Sequence, residues 1–182
     1  MINEDQLKFV MPHLSDERCK AFLPFLQSAM NEFEINTELR EAAFLAQVAH
    51  ESGEFRFMEE IWGPTTAQRN YEPPSAKSKE LGNTNPGDGK RYKGRGPIQI
   101  TGKANYKKFG DALGVDLVHD PENAASPEIA FRIAGCYWKT HGLNELADHE
   151  SFETITRRIN GGLNGLEDRK KYYARARKIL GV

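Results

Sequence analysis

Hydrophobic residues recur at helical spacing in the first third of the chain, which predicts that residues 1–62 are largely helical. The segment 15–33 forms one amphipathic helix by this pattern. A second segment, 37–51, begins at Thr37, whose hydroxyl suits a helix N-cap, and its small and apolar residues recur every three to four positions. We therefore expect a buried, alanine-rich helix that ends close to Glu51.

The middle of the chain breaks this pattern. Glycine and proline interrupt residues 63–97 so often that no long helix or strand is expected there. Loops of this length in compact domains are usually functional or disordered. The segment ends in the aromatic and apolar run RYKGRGPIQIT, so we predict an ordered loop, with either a short hairpin or an irregular wall around 90–100.

Helical patterns return after this region. Four more helices are predicted from apolar spacing and from capping residues, at 103–113, from Ser126 to Gly142, from Ser151 to Gly161, and at 166–180. The chain is therefore predicted to be mainly α, with one irregular or partly β wall in its middle.

Composition indicates a folded protein without a nucleic-acid partner. A chain of 182 residues can form one domain or two small lobes around a cleft, and its net charge of −1 argues against dedicated nucleic-acid binding. Cys19 and Cys136 are far apart in sequence, so two buried free thiols are expected. The acidic N-terminus does not resemble a signal peptide, which predicts synthesis in the cytoplasm.

The segment HESGE at 50–54 is the first candidate for chemistry. A zinc protease helix needs two histidines, at i and i+4, with a glutamate between them, and position 54 is a glutamate instead. The other histidines are scattered along the chain. We therefore expect neither a catalytic metal nor another cofactor.

The same segment is a candidate for glycoside hydrolysis, which needs one carboxyl group to donate a proton and another to activate water or attack carbon. Glu51 suits the acid, because the apolar residues before it predict partial burial, which favours the protonated form. Glu54, Glu59 and Glu60 are nearby candidates for the partner. Residues 51 and 60 would lie ~13 Å apart along one continuous helix, and a break at Gly53 allows a closer approach.

The segment KGRGPIQITGKANY at 93–106 supplies a second candidate wall. Gln99 and Thr101 alternate with isoleucines, so both side chains point to the same face of an extended segment. Asn105 and Tyr106 follow at the start of a helix. Amide, hydroxyl and aromatic groups suit a neutral sugar with N-acetyl arms, whereas the glycine spacing lacks the context of a dinucleotide site.

The third motif is RRINGGLNGLEDR at 157–169. It places the Asn160 amide at a predicted helix end, where it either faces a ligand or belongs to a plain helix cap. The helix that follows concentrates basic residues, which either form a solvated face or attract an anionic envelope. The basic residues in question are Lys170, Lys171, Arg175, Arg177 and Lys178.

These three motifs, in this order, resemble glycoside hydrolase family 19, the chitinase-like family. The resemblance spans about 45–173 and rests on AHESG at 49–53, GRGPIQIT at 94–101, NY at 105–106, INGG at 159–162 and Arg169. Within the family, HESGEFRFMEE at 50–60 and LGNTNPGDGKRYKGRG at 81–96 are most similar to phage endolysins.

The resemblance implies a mainly α, two-lobed lysozyme/chitinase-like fold, with a small hairpin or irregular wall lining a central cleft. It implies Glu51 as the general acid and Glu60 as the second carboxylate. Plant chitinases place their second glutamate further along the chain and carry cysteine pairs that are missing here. Glu59 and Glu72 therefore remain alternatives to Glu60.

The resemblance also implies a set of residues that bind substrate, hold the attacking water or shape the cleft. Asn160 and Arg169 are implied to shape the cleft and tune the acid. The predicted substrate-binding set is Gln99, Thr101, Asn105, Tyr106, Asn160 and Arg169.

The function implied is that of an inverting endolysin that hydrolyses β-1,4 bonds of bacterial peptidoglycan. We expect residues 1–182 to be one catalytic domain without a separate wall-binding domain, acting as a monomer on peptidoglycan glycan strands. The protein would reach the cell wall after holin-type release or another export. A chitinase with the same site and a non-catalytic sugar-binding module are the alternatives.

Overall fold

The computed structural model describes residues 1–182, and α-helices make up most of it. One short 3₁₀ helix, Pro121–Ala125, precedes the eighth α-helix. The helices in chain order are α1 (Glu4–Val10), α2 (Asp16–Glu32), α3 (Glu38–Ser52), α4 (Thr66–Arg69), α5 (Ala76–Glu80), α6 (Asp88–Arg91), α7 (Lys103–Leu113), α8 (Pro127–Thr140), α9 (Leu143–Asp148), α10 (Phe152–Asn160) and α11 (Leu166–Leu180).

Local capping residues explain why the long helices begin and end where the sequence predicts. Ser15 and Thr37 accept hydrogen bonds from backbone N–H groups in the first turns of α2 and α3. Gly53 closes α3 with φ 57°, a left-handed conformation that costs glycine little. The predicted helices at 15–33, 37–51, 103–113 and 166–180 are confirmed within one or two residues at each end.

Two hydrophobic clusters form the core. The larger one surrounds α3, which packs mainly against α11, and its buried side chains include Phe44 and Trp138, whose rings meet edge to face at 5.2 Å. The smaller one lies under α7 and the first part of α8 and includes Tyr92 and Phe109. Two clusters of unequal size are consistent with the two-lobed, mainly α fold, and that fold class is confirmed.

The wall in the middle of the chain is irregular. Segment 58–60 pairs antiparallel with 94–96 through two backbone hydrogen bonds, Glu60 N to Gly94 O at 2.8 Å and Gly96 N to Met58 O at 2.7 Å. Only isolated bridges form, because the glycines and Pro97 interrupt a longer ladder. Of the two forms that the sequence allowed, the irregular wall is therefore the one present.

The long loop before this wall contains structure that the sequence pattern did not predict. Three single-turn helices, α4 to α6, interrupt it. Thr65 and Gln68 form a reciprocal capping box at α4, and the Ser75 side chain caps α5. The prediction of an ordered segment is correct. The short helices were not predicted because frequent glycine and proline argue against helix in this segment.

Cys19 and Cys136 are buried and unpaired, as expected. No helix in the structure combines the length and the apolar character needed to span a bilayer.

Gly135 allows α8 to approach the Phe33 ring, and this contact provides a test of the packing. A Cβ at position 135 would lie 2.5 Å from Phe33 Cδ2. We expect Gly135→Ala to lower the free energy of unfolding, because overpacking typically costs about 1–3 kcal/mol and exceeds the helix-propensity gain of about 1 kcal/mol. Urea denaturation measures the change.

The control is the double variant Phe33→Leu with Gly135→Ala. Removing the ring should recover part of the loss, so that the two changes are less costly together than their sum. A Gly135→Ala protein at least as stable as the wild type would refute this account of the packing.

Candidate active site

Glu51 lies in the last turn of α3, where a buried cation holds it. Arg169 Nη2 is 2.6 Å from Glu51 Oε1. The Arg169 side chain is 2% exposed, whereas that of Glu51 is 27% exposed. The carboxyl group therefore stands at the edge of the core, with one oxygen tied inward and the group still open to solvent.

A chain of buried polar contacts fixes the Arg169 guanidinium. Its Nη1 donates to Gln47 Oε1 at 2.6 Å, and its Nε donates to the Asn164 carbonyl at 3.1 Å. Gln47 in turn donates to Thr156 Oγ1 at 2.9 Å. A buried charge with these partners is satisfied in place. The prediction that Arg169 contacts substrate needs correction, because the side chain is enclosed and contacts the acid instead.

Tyr137 on α8 borders Glu51 and was not among the predicted site residues. Burial, and then the charge of Glu51, raise the pKa of the Tyr137 hydroxyl, which donates to the Arg158 carbonyl at 3.2 Å. The sequence does not indicate that Tyr137 lies beside Glu51, because aromatic residues at helical spacing usually belong to the core.

Glu60 lies on the irregular wall, and two N–H groups hold its carboxylate. The Gly94 backbone N–H donates to Oε2 at 2.8 Å, and the buried Gln68 amide donates to Oε1 at 3.0 Å. The Tyr71 hydroxyl lies close to Glu60, and burial, followed by the negative charge of this carboxylate, raises the pKa of Tyr71. No cation pairs with Glu60, so its surroundings differ in kind from those of Glu51.

The structure brings Gln99 and Glu60 together across Gly94. A Cβ at position 94 would overlap Gln99 Oε1 and lie 3.2 Å from Glu60 Oε2. The Gln99 side chain is exposed, and its amide makes only a long 3.4 Å contact to the Gly96 carbonyl. This amide is therefore available to a ligand that reaches Glu60.

Thr101 and Asn105 are linked but half-buried. Asn105 Nδ2 donates to the Thr101 carbonyl at 2.8 Å at the start of α7. Their proposed contacts with substrate stay predictions.

Tyr106 does not line the wall, which corrects the prediction that it binds substrate. It is fully buried, donates to the Lys93 carbonyl at 2.5 Å and accepts from Arg95 Nη1 at 2.8 Å. Burial raises the pKa of its hydroxyl to about 12. Tyr106 supports the wall from beneath, because the helical turn at Lys103 directs this side chain inward.

Asn160 ends α10, and Gly161 follows it in a left-handed conformation with φ 75°. The side chain is half-buried, and its Nδ2 has no hydrogen-bond partner within the protein. An amide donor left unpaired is unfavourable unless a ligand or water satisfies it. Its role in shaping the cleft stays a prediction.

The alternatives to Glu60 have other partners. Glu59 forms ion pairs with Lys93 at 3.1 Å and Arg95 at 3.3 Å. Burial acts to raise the pKa of Glu59, but these two cations outweigh it and the pKa is lowered. Glu72 accepts from the backbone N–H groups of Gly87 and Lys90 at 2.8 and 3.2 Å and so holds the start of α6. Glu60 is the carboxylate that lies with the exposed Gln99 amide at Gly94.

The sequence matches the family model of glycoside hydrolase family 19, described as chitinase class I, over residues 17–154. A glycosyl hydrolase family 19 domain-containing protein of Haemophilus influenzae is 38% identical over 95% of this chain and 94% of its own length. An endochitinase of Arabidopsis thaliana is 42% identical over 78% of this chain, which spans about half (48%) of that protein.

Solved structures agree with these relatives. A bacterial family 19 chitinase superposes with a TM-score of 0.78 at 26% identity, covering 100% of this chain and 95% of its own. Chitinase C from Streptomyces griseus gives a TM-score of 0.77 at 25% identity, covering 100% of this chain and 77% of its own. The fold and site thus define a helical glycoside hydrolase that acts on O-glycosyl bonds. The chain belongs to glycoside hydrolase family 19.

Gly94→Ala tests whether the wall presents Glu60 and Gln99 together. The added methyl group displaces the end of the exposed Gln99 side chain, which can move cheaply, so the fold should tolerate it. We expect turnover to fall by about 10- to 100-fold because the positions of both side chains change by up to about 1 Å. Steady-state kinetics and a melting curve measure the two effects.

Gly87→Ala is the matched control, because a Cβ added at position 87 would meet no heavy atom within 4 Å, although the residue has a positive φ. It should lose some stability and keep its turnover. Wild-type turnover in Gly94→Ala would show that the arrangement of Glu60 and Gln99 does not matter.

Proposed function

We propose that this chain is a lysozyme-type endolysin that hydrolyses the β-1,4 bond between N-acetylmuramic acid and N-acetylglucosamine in bacterial peptidoglycan. The observation that carries the proposal is the contrast between two carboxylates. Glu51 lies against a buried guanidinium, and Glu60 lies against two N–H donors beside an exposed amide. An acid and a base held in different surroundings are what an inverting glycosidase requires.

Glu51 is the proposed proton donor. Arg169 holds Oε1, which leaves Oε2 for the glycosidic oxygen. As the proton leaves, negative charge develops on the carboxylate, and the adjacent guanidinium stabilises that charge without having to move. The same pair therefore orients the acid and assists bond cleavage.

Glu60 is the proposed base. Its two oxygens each accept one hydrogen bond, and each has a further lone pair for a water molecule. The base takes a proton from this water as the water attacks the anomeric carbon on the face opposite the leaving oxygen. Gln99, whose side chain lies with Glu60 at Gly94, is proposed to hold the water or an N-acetyl group of the substrate.

Peptidoglycan is favoured as the substrate by the local resemblance of 50–60 and 81–96 to phage endolysins. On this proposal residues 1–182 act as one catalytic domain and as a monomer on glycan strands. The protein is made in the cytoplasm and reaches the wall after holin-type release or another export.

Contact between α11 and an anionic envelope is a weaker part of the proposal. Lys170 and Arg177 form ion pairs with glutamates at 3.2 and 2.6 Å. Lys171 and Lys178 remain exposed and are the residues proposed to carry the attraction. Fewer cations are therefore available than the sequence suggested.

Chitin oligomers are the second candidate substrate. The Arabidopsis relative is an endochitinase, and its similarity covers 78% of this chain. Both polymers carry N-acetyl groups on β-1,4-linked sugars, so the same acid and base serve either.

Glu51→Gln tests the acid. The amide keeps the shape of the side chain and one acceptor for Arg169, but it has no proton of suitable acidity to donate. We expect turnover to fall by about 10²- to 10⁴-fold, the usual contribution of general acid catalysis, with the helical circular dichroism unchanged.

The control for this substitution is Glu38→Gln, which changes an exposed glutamate in the first turn of the same helix. It should leave turnover as in the wild type. A folded Glu51→Gln protein with full activity would exclude Glu51 as the acid.

Substrate choice is tested with purified peptidoglycan and chitin oligomers side by side. Reducing-end analysis of the peptidoglycan digest should reveal new N-acetylmuramic acid ends, at a rate that exceeds cleavage of the chitin oligomers. New N-acetylglucosamine ends, or cleavage of chitin oligomers alone, would reject the muramidase and favour the second candidate.

A further inference from the structure

The chain leaves α3 through three consecutive residues with left-handed backbone. Gly53, Glu54 and Phe55 have φ of 57°, 60° and 62°. Each non-glycine residue in this conformation costs about 1–2 kcal/mol, so two in succession persist only where other contacts hold them. This turn lies directly between Glu51 and the segment that carries Glu60, and we refer to residues 53–55 as the exit turn.

Contacts with α3 and with the hydrophobic core stabilise part of the exit turn. Glu54 N donates to the Ala49 carbonyl at 2.8 Å, and Phe55 N donates to Ser52 Oγ at 2.8 Å. The Phe55 ring is fully buried and meets the Phe131 ring at 5.1 Å. These contacts bind the turn to its own helix and to the core.

The Glu54 carboxylate binds the exit turn to distant parts of the chain. It is 6% exposed and accepts from the His13 backbone N–H at 2.6 Å, from His13 Nδ1 at 2.9 Å and from the Tyr172 hydroxyl at 2.8 Å. Burial and then the bond to Glu54 raise the pKa of Tyr172, so this hydroxyl remains a donor at neutral pH. The Glu54 carboxylate thus accepts three hydrogen bonds from within the protein, on both of its oxygens.

Helix α11 contacts the chain both just before the exit turn and within it. Arg169 binds Glu51 before the turn, and Tyr172, three residues later on the same helix face, binds Glu54 within it. One rigid helix therefore holds the acid and also the residue that sets the direction of the chain toward Glu60.

We propose that Glu54 is a positioning residue that sets the separation of the Glu51 and Glu60 carboxyl groups by locking the exit turn. The inference rests on the proposed roles of Glu51 and Glu60. Without the hydrogen bonds of the Glu54 carboxylate, the exit turn relaxes to ordinary backbone angles. This relaxation moves the wall that carries Glu60 relative to α3. A displacement of about 1 Å is enough to cost about 10²-fold in rate, because the attacking water must line up with the leaving oxygen.

The experiment compares Glu54→Ala, Glu54→Gln and a stability control. Ile35→Val removes one methyl group from a fully buried residue outside the site and typically costs about 0.5–1.5 kcal/mol. We measure kcat and KM at a temperature where circular dichroism shows each protein to be folded. Glu54→Ala should lower kcat by about 10- to 100-fold, with KM changed far less. The kcat of Glu54→Gln should lie between those of Glu54→Ala and the wild type, because its amide oxygen still accepts a hydrogen bond. Ile35→Val should keep the wild-type kcat.

A folded Glu54→Ala protein whose kcat equals that of Ile35→Val overturns the proposal, since Glu54 would then only stabilise the fold. If Glu54→Ala does not fold, Tyr172→Phe decides, because it removes one hydrogen bond to the carboxylate. We expect Tyr172→Phe to lower kcat by about threefold or more, and a wild-type kcat overturns the proposal.

A second arm does not depend on turnover. Crystal structures of the wild type and of Glu54→Ala, or of Tyr172→Phe, give the distance between the Glu51 and Glu60 carboxyl carbons. A change of about 1 Å or more supports the positioning role even if neither peptidoglycan nor chitin is cleaved, and an unchanged distance overturns it. Inactive wild-type enzyme would instead reject the proposed function.

Discussion

The ion pair between Glu51 and the buried Arg169 is the interaction on which the site depends. A guanidinium enclosed in the core cannot lose its partner cheaply, because an uncompensated buried charge costs about 3–5 kcal/mol. Gln47 accepts from its Nη1 and the Asn164 carbonyl accepts from its Nε, so contacts other than the one to the carboxylate also fix Arg169. The position of Glu51 therefore follows from the packing of α3 against α11.

The opposite wall is held by a different means. Backbone pairing of 58–60 with 94–96 brings the Gly94 N–H to Glu60, and the absence of a side chain at position 94 leaves room for Gln99. No charge is involved. One carboxyl group is thus supported by a cation and the other by neutral donors, so the two walls hold their carboxyl groups in different surroundings.

The sequence predicts those parts of the molecule that depend on contacts between residues close together in the chain. Caps such as Thr37 and Gly53 act within a few residues, so the long helices and the place of Glu51 follow from them. The enclosure of Arg169 depends on Gln47, 122 residues away, and no local pattern records it. The prediction that Tyr106 binds substrate was wrong for a related reason. The orientation of Tyr106 depends on its hydrogen bond to Arg95 and on packing in the smaller hydrophobic cluster, which no local pattern records.

Glu60 was chosen as the second carboxylate from the family resemblance alone. The structure shows how the two alternatives differ from it, because Glu59 forms ion pairs and Glu72 holds the start of a helix. We propose that Glu51 donates a proton while Glu60 activates water on the opposite face of the sugar. NMR of the first product, recorded before mutarotation, shows which anomer is released. We expect the α-anomer from a β-linked glycan, and release of the β-anomer would exclude these roles for Glu51 and Glu60.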